Sequence, residues 1–286
     1  MKTALVFGAS GQIGGPVLDR LSDAGWRVLA VSRQPQRDAA GVHWLRGDLA
    51  RVDGLPVALD AVLSCGPLDL FAQWFAATPL ALPRVVAFGS TSVHVKHASD
   101  DDAERAVAAR LAVAEQQLFD AASARGVAAT VLRPTLVYGV GRDATLTRIV
   151  QLARRYRRFV LPRRADGLRM PVHVQDLAAA AVAALVQPTS AGRAYDLPGG
   201  ERIAYREMVR RALDCLQPPL PLHELPMPLY RWLLQAAQAR GIAAGFTPAM
   251  LARMRQDLVF DDAAARHDLG WSPRAFRPDP SMFAGG

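Results

Sequence analysis

Gly8, Gly11 and Gly14 stand three residues apart in Gly8-Ala9-Ser10-Gly11-Gln12-Ile13-Gly14, directly after the apolar run Thr3-Ala4-Leu5-Val6-Phe7. Residues of this type at this spacing bind phosphate. Glycine tolerates positive φ and carries no Cβ to hold a pyrophosphate away from backbone N–H groups. A helix opening at the same place aims the positive end of its dipole at the anion. With a strand before the turn and a helix after it, the expected ligand is a dinucleotide, touched by Gly8, Ser10, Gly11, Gln12, Ile13 and Gly14. An ordinary strand-to-helix turn is the alternative.

Three later positions extend this reading. The second apolar run ends at Val31-Ser32-Arg33, where a fold that prefers NAD offers a carboxylate to the ribose hydroxyls. Here Ser32 and Arg33 offer donors and fixed charge instead, which suits a 2′-phosphate and therefore NADP, with NAD as the alternative cofactor. In Gly47-Asp48-Leu49, Asp48 either accepts from the adenine amino group or caps a turn, with Leu49 beside it. Gly66, in Cys65-Gly66-Pro67, follows a further apolar run at a point where backbone must pass close to the ligand.

The elements that must hold these residues are strands alternating with helices. Thr3–Phe7, Arg27–Ser32, Val42–Leu45, Ala61–Ser64, Arg84–Phe88 and Val127–Leu132 read as strands. The alternation predicts an α/β fold, a doubly wound parallel sheet of Rossmann type. Pro16–Ala24 reads as the first helix and Asp101–Arg125 as the longest, with an acidic start that suits its dipole and Gly126 as its stop. Beyond Tyr138 come arginine-rich, proline-marked segments and helices at Gln175–Val186, Tyr205–Leu216, Pro228–Arg240 and Pro248–Asp257. Residues 1–138 are expected to form the dinucleotide-binding core. Residues 139–286 are expected to form mainly a smaller substrate lobe, with segments returning to the core. The tail from Arg277 is expected to be loosely ordered.

Composition narrows the classes of function. A chain of 286 residues can bury a full core without staples. Cys65 and Cys215 show neither a disulfide framework nor metal-ligand spacing, so no metal is expected. Residues 1–7 read as a strand, and the longest apolar run, Leu177–Val186, falls short of the ~20 residues a membrane span needs. A cytoplasmic protein without a membrane partner is the expectation. The net charge of +8 comes from arginine, Lys2 and Lys96 being the two lysines. Arginines cluster between Arg154 and Arg169 and could hold an anionic substrate, the alternative being a solvated face. No nucleic-acid motif accompanies them, and aromatic interleaving stops at Tyr156 and Phe159, so no nucleic-acid partner is expected.

The glycine motif is followed in order by Gly47-Asp48-Leu49, Ser90-Thr91-Ser92-Val93, Leu132-Arg133-Pro134-Thr135-Leu136-Val137-Tyr138-Gly139, Arg169-Met170-Pro171-Val172-His173-Val174-Gln175-Asp176-Leu177-Ala178 and Leu269-Gly270-Trp271-Ser272-Pro273-Arg274. Together these segments resemble the extended short-chain dehydrogenase/reductase group, the NAD-dependent epimerase/dehydratase family, over nearly the whole chain. The resemblance implies that Ser90 is the catalytic serine and that Pro134 and Leu136 lie by the nicotinamide. It also implies that Ser92 and Arg169 meet the substrate, Arg169 gripping a sugar-nucleotide diphosphate. A homodimer is compatible with it.

One departure dominates. The family carries an acid–base tyrosine and a lysine four residues apart on the long helix, commonly with a glutamate four further on. Anchored on Glu115, those positions hold Val107 and Leu111, and neither moves a proton. No tyrosine precedes Tyr138 and no lysine follows Lys96, so no shift of alignment restores the pair. Losing a positioned acid–base group costs ~10²–10⁴-fold in rate. Lys96, flanked by His94 and His97 after the fifth strand, is a candidate replacement, while Asp100, Asp101, Asp102 and Glu104 read as helix-start charges. Tyr138 reads as packing and His173 as structural. The expected function is an epimerase/dehydratase-like oxidoreductase, NADP-dependent, acting on a nucleotide-linked or phosphorylated small molecule such as a nucleotide sugar. The rival is a non-catalytic dinucleotide-binding sensor or scaffold.

Overall fold

The apolar runs of the first half become parallel strands in the computed structural model, which describes residues 1–143, 145–241 and 247–283. They are β1 (Thr3–Phe7), β2 (Arg27–Ser32), β3 (Val42–Arg46), β4 (Ala61–Ser64), β5 (Arg84–Phe88) and β6 (Ala128–Pro134), joined by a later strand, β7 (Arg193–Leu197). Their order across the sheet is β7-β6-β5-β4-β1-β2-β3, and every pairing is parallel. The order reverses between β1 and β4, which splits the sheet into two mononucleotide-sized halves with a crevice at the strands' carboxyl ends.

This sheet belongs to the first of two compact units, made of Met1–Thr135, Val172–Pro198 and Phe260–Pro273. Its helices include α1 (Gly14–Asp23), α2 (Leu68–Ala77), the short α3 (Ser92–Val95), α4 (Asp102–Ala124) and α5 (Val174–Val186). Leu5, Phe7, Phe71, Phe75, Leu118 and Val131 are fully buried in one cluster where α2 and α4 cover the sheet. Because the intervening strand residues Ala4, Val6, Val28 and Ala30 are buried too, the central strands read as unbroken apolar runs rather than alternating ones. Asp101 caps α4 by accepting from the Ala103 N–H at 2.9 Å, and Gly126, at φ +64°, turns the chain away from its end.

The turn after β1 is set by backbone contact. Gly8 has φ +67°, and a Cβ there would meet the Cys65 carbonyl carbon at 2.8 Å and the Gly66 nitrogen at 2.9 Å. The Gly11 N–H donates to the Gly8 carbonyl at 2.9 Å. Gly14, the first residue of α1, lies so close to that carbonyl that its Cβ would be 2.2 Å from the oxygen.

The second unit comprises Leu136–Pro171, Gly199–Val259 and the chain from Arg274. Its core gathers Leu146, Val150, Leu161, Met208, Ala212 and Phe276. Two small strand pairs accompany the helices Leu146–Tyr156, Tyr205–Asp214, Met227–Gln238 and Pro248–Arg253. Two expectations are corrected here. The last of these helices stops at Arg253 rather than continuing to Asp257, because the chain turns to present carbonyls to a buried arginine described below. The tail is not loose over Arg277–Phe283: Phe283 is buried in the core, and its carbonyl accepts from Arg154 at 2.8 Å. The end beyond Phe283 lies outside the described residues.

Gly14→Ala is expected to cost about 1–3 kcal/mol, since the new methyl overlaps backbone atoms that cannot swing aside. Chemical denaturation measures this, and a midpoint equal to that of the unmodified protein would show that the turn relaxes freely.

Candidate functional site

The glycine turn, the end of β2, the turn after β3 and the end of β4 surround a cleft of about 460 Å³ in the first unit. Of the residues expected at a cofactor, Gly8, Ser10, Gly11, Ser32, Arg33, Asp48, Leu49 and Gly66 line it. Gln12, Ile13 and Gly14 sit in the turn behind the wall, Ile13 being the residue that precedes α1 and buried. Pro134 stands apart, at the end of β6, where its carbonyl accepts from both the N–H and the hydroxyl of Thr91. Leu136 opens the second unit and packs on that unit's core.

Polar groups in the cleft match a phosphorylated nucleotide. Arg33 is exposed at the rim, and the described lining contains one carboxylate, that of Asp48. One oxygen of Asp48 is committed to a turn, accepting from the N–H groups of Ala50 at 2.9 Å and Arg51 at 3.1 Å. Behind the wall, Gln12 Oε1 and Ser64 Oγ are buried with no hydrogen-bond partner among the described residues. A glycine-walled cradle with unpartnered polar atoms beside it fits a dinucleotide. Burial pushes the Cys65 thiol up to about 12, so it stays protonated and unreactive.

The sequence reading missed one wall. Leu70, Gln73 and Trp74 of α2 complete the cleft. Trp74 stacks on Phe71 with ring centroids 5.7 Å apart and meets Phe7 edge-on at 4.6 Å. The signal available was position: Pro67 directly precedes the helix, at the point where a strand should hand over to one.

On the other half of the sheet, Ser90 follows β5 and its hydroxyl accepts from the Ser92 N–H at 3.1 Å. Ser92 begins α3 and Lys96 directly follows its end, both half-buried. Val107 and Leu111 lie on α4, two turns and one turn before Glu115 respectively, as half-buried apolar side chains. Glu115 is buried and takes two bonds from Arg133 Nε, at 2.9 and 3.1 Å, and another from Nη2. Strand register sets Asp196 of β7 beside Arg133 of β6, with Nη1 and Oδ1 3.6 Å apart. His94 of α3 completes the group: its Nε2 is 3.1 Å from Asp196 Oδ1 and 3.3 Å from Arg133 Nη1. Burial opposes the charge on Arg133, but Glu115 and Asp196 outweigh it and hold the guanidinium above its ordinary range.

Arg169 departs from the expected role of gripping a diphosphate. It is buried in the second unit, where Nη1 donates to the carbonyls of Leu168 and Gln256 at 2.8 Å each and Nη2 donates to that of Arg253 at 2.5 Å. The guanidinium also lies 5.3 Å from the Tyr205 ring centre. Burial lowers its pKa to about 10, which leaves it charged at neutral pH. These contacts close a turn rather than present the fork to a ligand. His173 is buried as well, and its Nδ1 caps α5 by accepting from the Gln175 N–H at 3.2 Å.

Fold and cleft together define a doubly wound protein built to seat a dinucleotide. A family model described as the NAD dependent epimerase/dehydratase family matches residues 74–197. The chain is 30% identical over 259 residues to the (4-alkanoyl-5-oxo-2,5-dihydrofuran-3-yl)methyl phosphate reductase of Streptomyces griseus, covering 85% of this chain and 84% of that one. It is 26% identical to the 2-alkyl-3-oxoalkanoate reductase of Stenotrophomonas maltophilia, covering 75% and 76% of the two chains. In fold it is similar to an epimerase structure from Methanothermobacter thermautotrophicus, with a TM-score of 0.70 at 15% identity over 96% of this chain and 89% of that one. The chain belongs to the NAD dependent epimerase/dehydratase family. Among the described residues no helix is long and apolar enough to cross a membrane.

Arg169→Ala is expected to destabilise the ligand-free protein by on the order of 2–4 kcal/mol, because it strands buried carbonyls that the guanidinium satisfies. Thermal melting without any ligand reads this, and an unchanged midpoint would return Arg169 to the pool of ligand-binding residues.

Proposed function

We propose that this protein is an NADPH-dependent reductase of a small carbonyl compound bearing an alkyl group and an anionic group. The carrying observation is the cleft, whose rim offers Arg33 where a ribose-binding carboxylate would favour NAD. The substrate class is supported by the two reductases to which the chain is similar over most of its length: one is named for a phosphate ester with an alkanoyl group and the other for an alkyl-substituted oxo acid. The commitment of Arg169 to backbone carbonyls weighs against the nucleotide-sugar reading.

Gly8, Gly11 and the start of α1 would hold the pyrophosphate, and Ser32 and Arg33 the 2′-phosphate. Asp48 has one oxygen left for the adenine amino group. A bound nicotinamide supplies hydride. The protein's part is to orient the carbonyl, with Ser90 as the hydroxyl nearest in sequence to the end of β5, and to deliver a proton to its oxygen. A second reading, a dinucleotide-binding sensor without turnover, draws on the apolar Val107 and Leu111.

Calorimetric titration is expected to show tighter binding of NADPH than of NADH, and Arg33→Ala is expected to reduce the preference roughly tenfold or more, the loss of one charge-assisted contact. Equal affinities in the unmodified protein would remove the NADP reading. Oxidation of NADPH with 2-alkyl-3-oxoalkanoates and alkanoyl phosphate esters separates reductase from sensor.

A further inference from the structure

The proton normally supplied from the long helix has no donor there, yet the same edge of the sheet holds a built arrangement that can supply one. His94 follows β5 at the carboxyl end of the sheet, on the β4–β6 half opposite the phosphate turn. Its Nε2 faces Asp196 Oδ1 at 3.1 Å. Among the described residues its Nδ1 has no partner, and 43% of the side chain is exposed. We propose that His94, oriented by Asp196, is the group that exchanges a proton with the substrate oxygen, a role that rests on the reductase reading above.

With Asp196 taking the Nε2 proton, and Arg133 Nη1, 3.3 Å from that nitrogen, directing its N–H to Asp196 rather than to the ring, the tautomer is fixed and Nδ1 is left as the atom that gives and receives. Asp196 is itself fixed, by parallel register against Arg133 on β6, and Arg133 is held from behind by Glu115 on α4. The charged groups facing the ring are therefore Asp196 from β7 and Arg133 from β6, with Glu115 behind the arginine. Lys96 and His97 flank the ring along its own segment, and Phe260 packs at 6.3 Å between ring centres. Among the described residues no carboxylate lies within ion-pairing distance of Lys96, so nothing comparable orients the lysine. In the reduction, hydride reaches the carbonyl carbon while the C=O π pair shifts to oxygen and takes the Nδ1 proton of the imidazolium. The products are the alcohol, the oxidised nicotinamide and a neutral imidazole that recovers its proton from water.

The test uses the full chain with His94→Gln, Asp196→Asn and Lys96→Met, a 2-alkyl-3-oxoalkanoate as substrate, and NADPH. His94→Gln is expected to lower kcat by roughly 10²–10⁴-fold and to abolish the proton donor's ionisation in the pH–rate profile, with NADPH affinity by calorimetry unchanged. Independently of turnover, the His94 ring nitrogens in the NMR spectrum of the ligand-free protein should report the Nε2–H tautomer and lose that preference in Asp196→Asn, and NADPH should perturb them in the unmodified protein. A tautomer unchanged by Asp196→Asn, a ring signal blind to NADPH, full activity in His94→Gln, or loss of the ionisation in Lys96→Met instead would each overturn the proposal. Absence of NADPH binding to the unmodified protein, or binding without turnover at any pH, would overturn the reductase reading beneath it. The cases are separable because the effect of Asp196→Asn on the His94 tautomer is read without cofactor.

Discussion

A buried ion pair, Arg133 with Glu115, fixes the half of the sheet on which the candidate chemistry depends. Glu115 sits against the backbone of Gly89, so that a Cβ there would be 3.2 Å from its carboxylate oxygen. Arg133 thus joins α4 to β6, and through Asp196 to the edge strand β7. Removing Arg133 would leave the buried Glu115 carboxylate without its partner, which costs about 3–5 kcal/mol in buried pairs. That penalty makes the pair a fixed reference from which the loop after β5 takes its position.

The two halves of the crevice use different physics. On the β1–β3 side the protein withdraws side chains, and backbone contact at Gly8 and Gly14 sets the wall. On the β5–β7 side it supplies side chains in a charged chain of contacts, each member oriented by the next. The proposed phosphate-binding turn and the proposed proton-transfer group are thereby placed on one parallel sheet, at opposite sides of its switch point.

Much of the fold was legible because parallel strands covered on both faces leave a simple trace. The limits of β1, β2, β4 and β5 coincide with unbroken apolar runs. α2 was not legible: Leu-Asp-Leu-Phe-Ala-Gln-Trp-Phe-Ala-Ala is apolar around most of its circumference and gives little helical contrast. β7, Arg-Ala-Tyr-Asp-Leu, was too polar, with charges at Arg193 and Asp196, to read as a strand, although Tyr195 is buried and its hydroxyl donates to Asp268 at 2.7 Å. The glycine turn was visible in spacing alone, whereas the meeting of His94 with Asp196 joins residues 102 apart and depends on the register of two strands. The resemblance set Arg169 at a substrate diphosphate, but a sequence shows that an arginine is present and not whether its donors face solvent or, as here, the protein's own carbonyls.

The aromatic wall of the cleft has an optical consequence. Trp74 is clamped between Phe7 and Phe71 and borders the cavity directly, while Trp26 and Trp271 are buried elsewhere and Trp44 and the exposed Trp232 lie outside its lining. Its indole is held at a fixed orientation toward whatever enters. A reduced nicotinamide absorbs where indole emits, so occupancy would be written into the intrinsic emission spectrum without any added label.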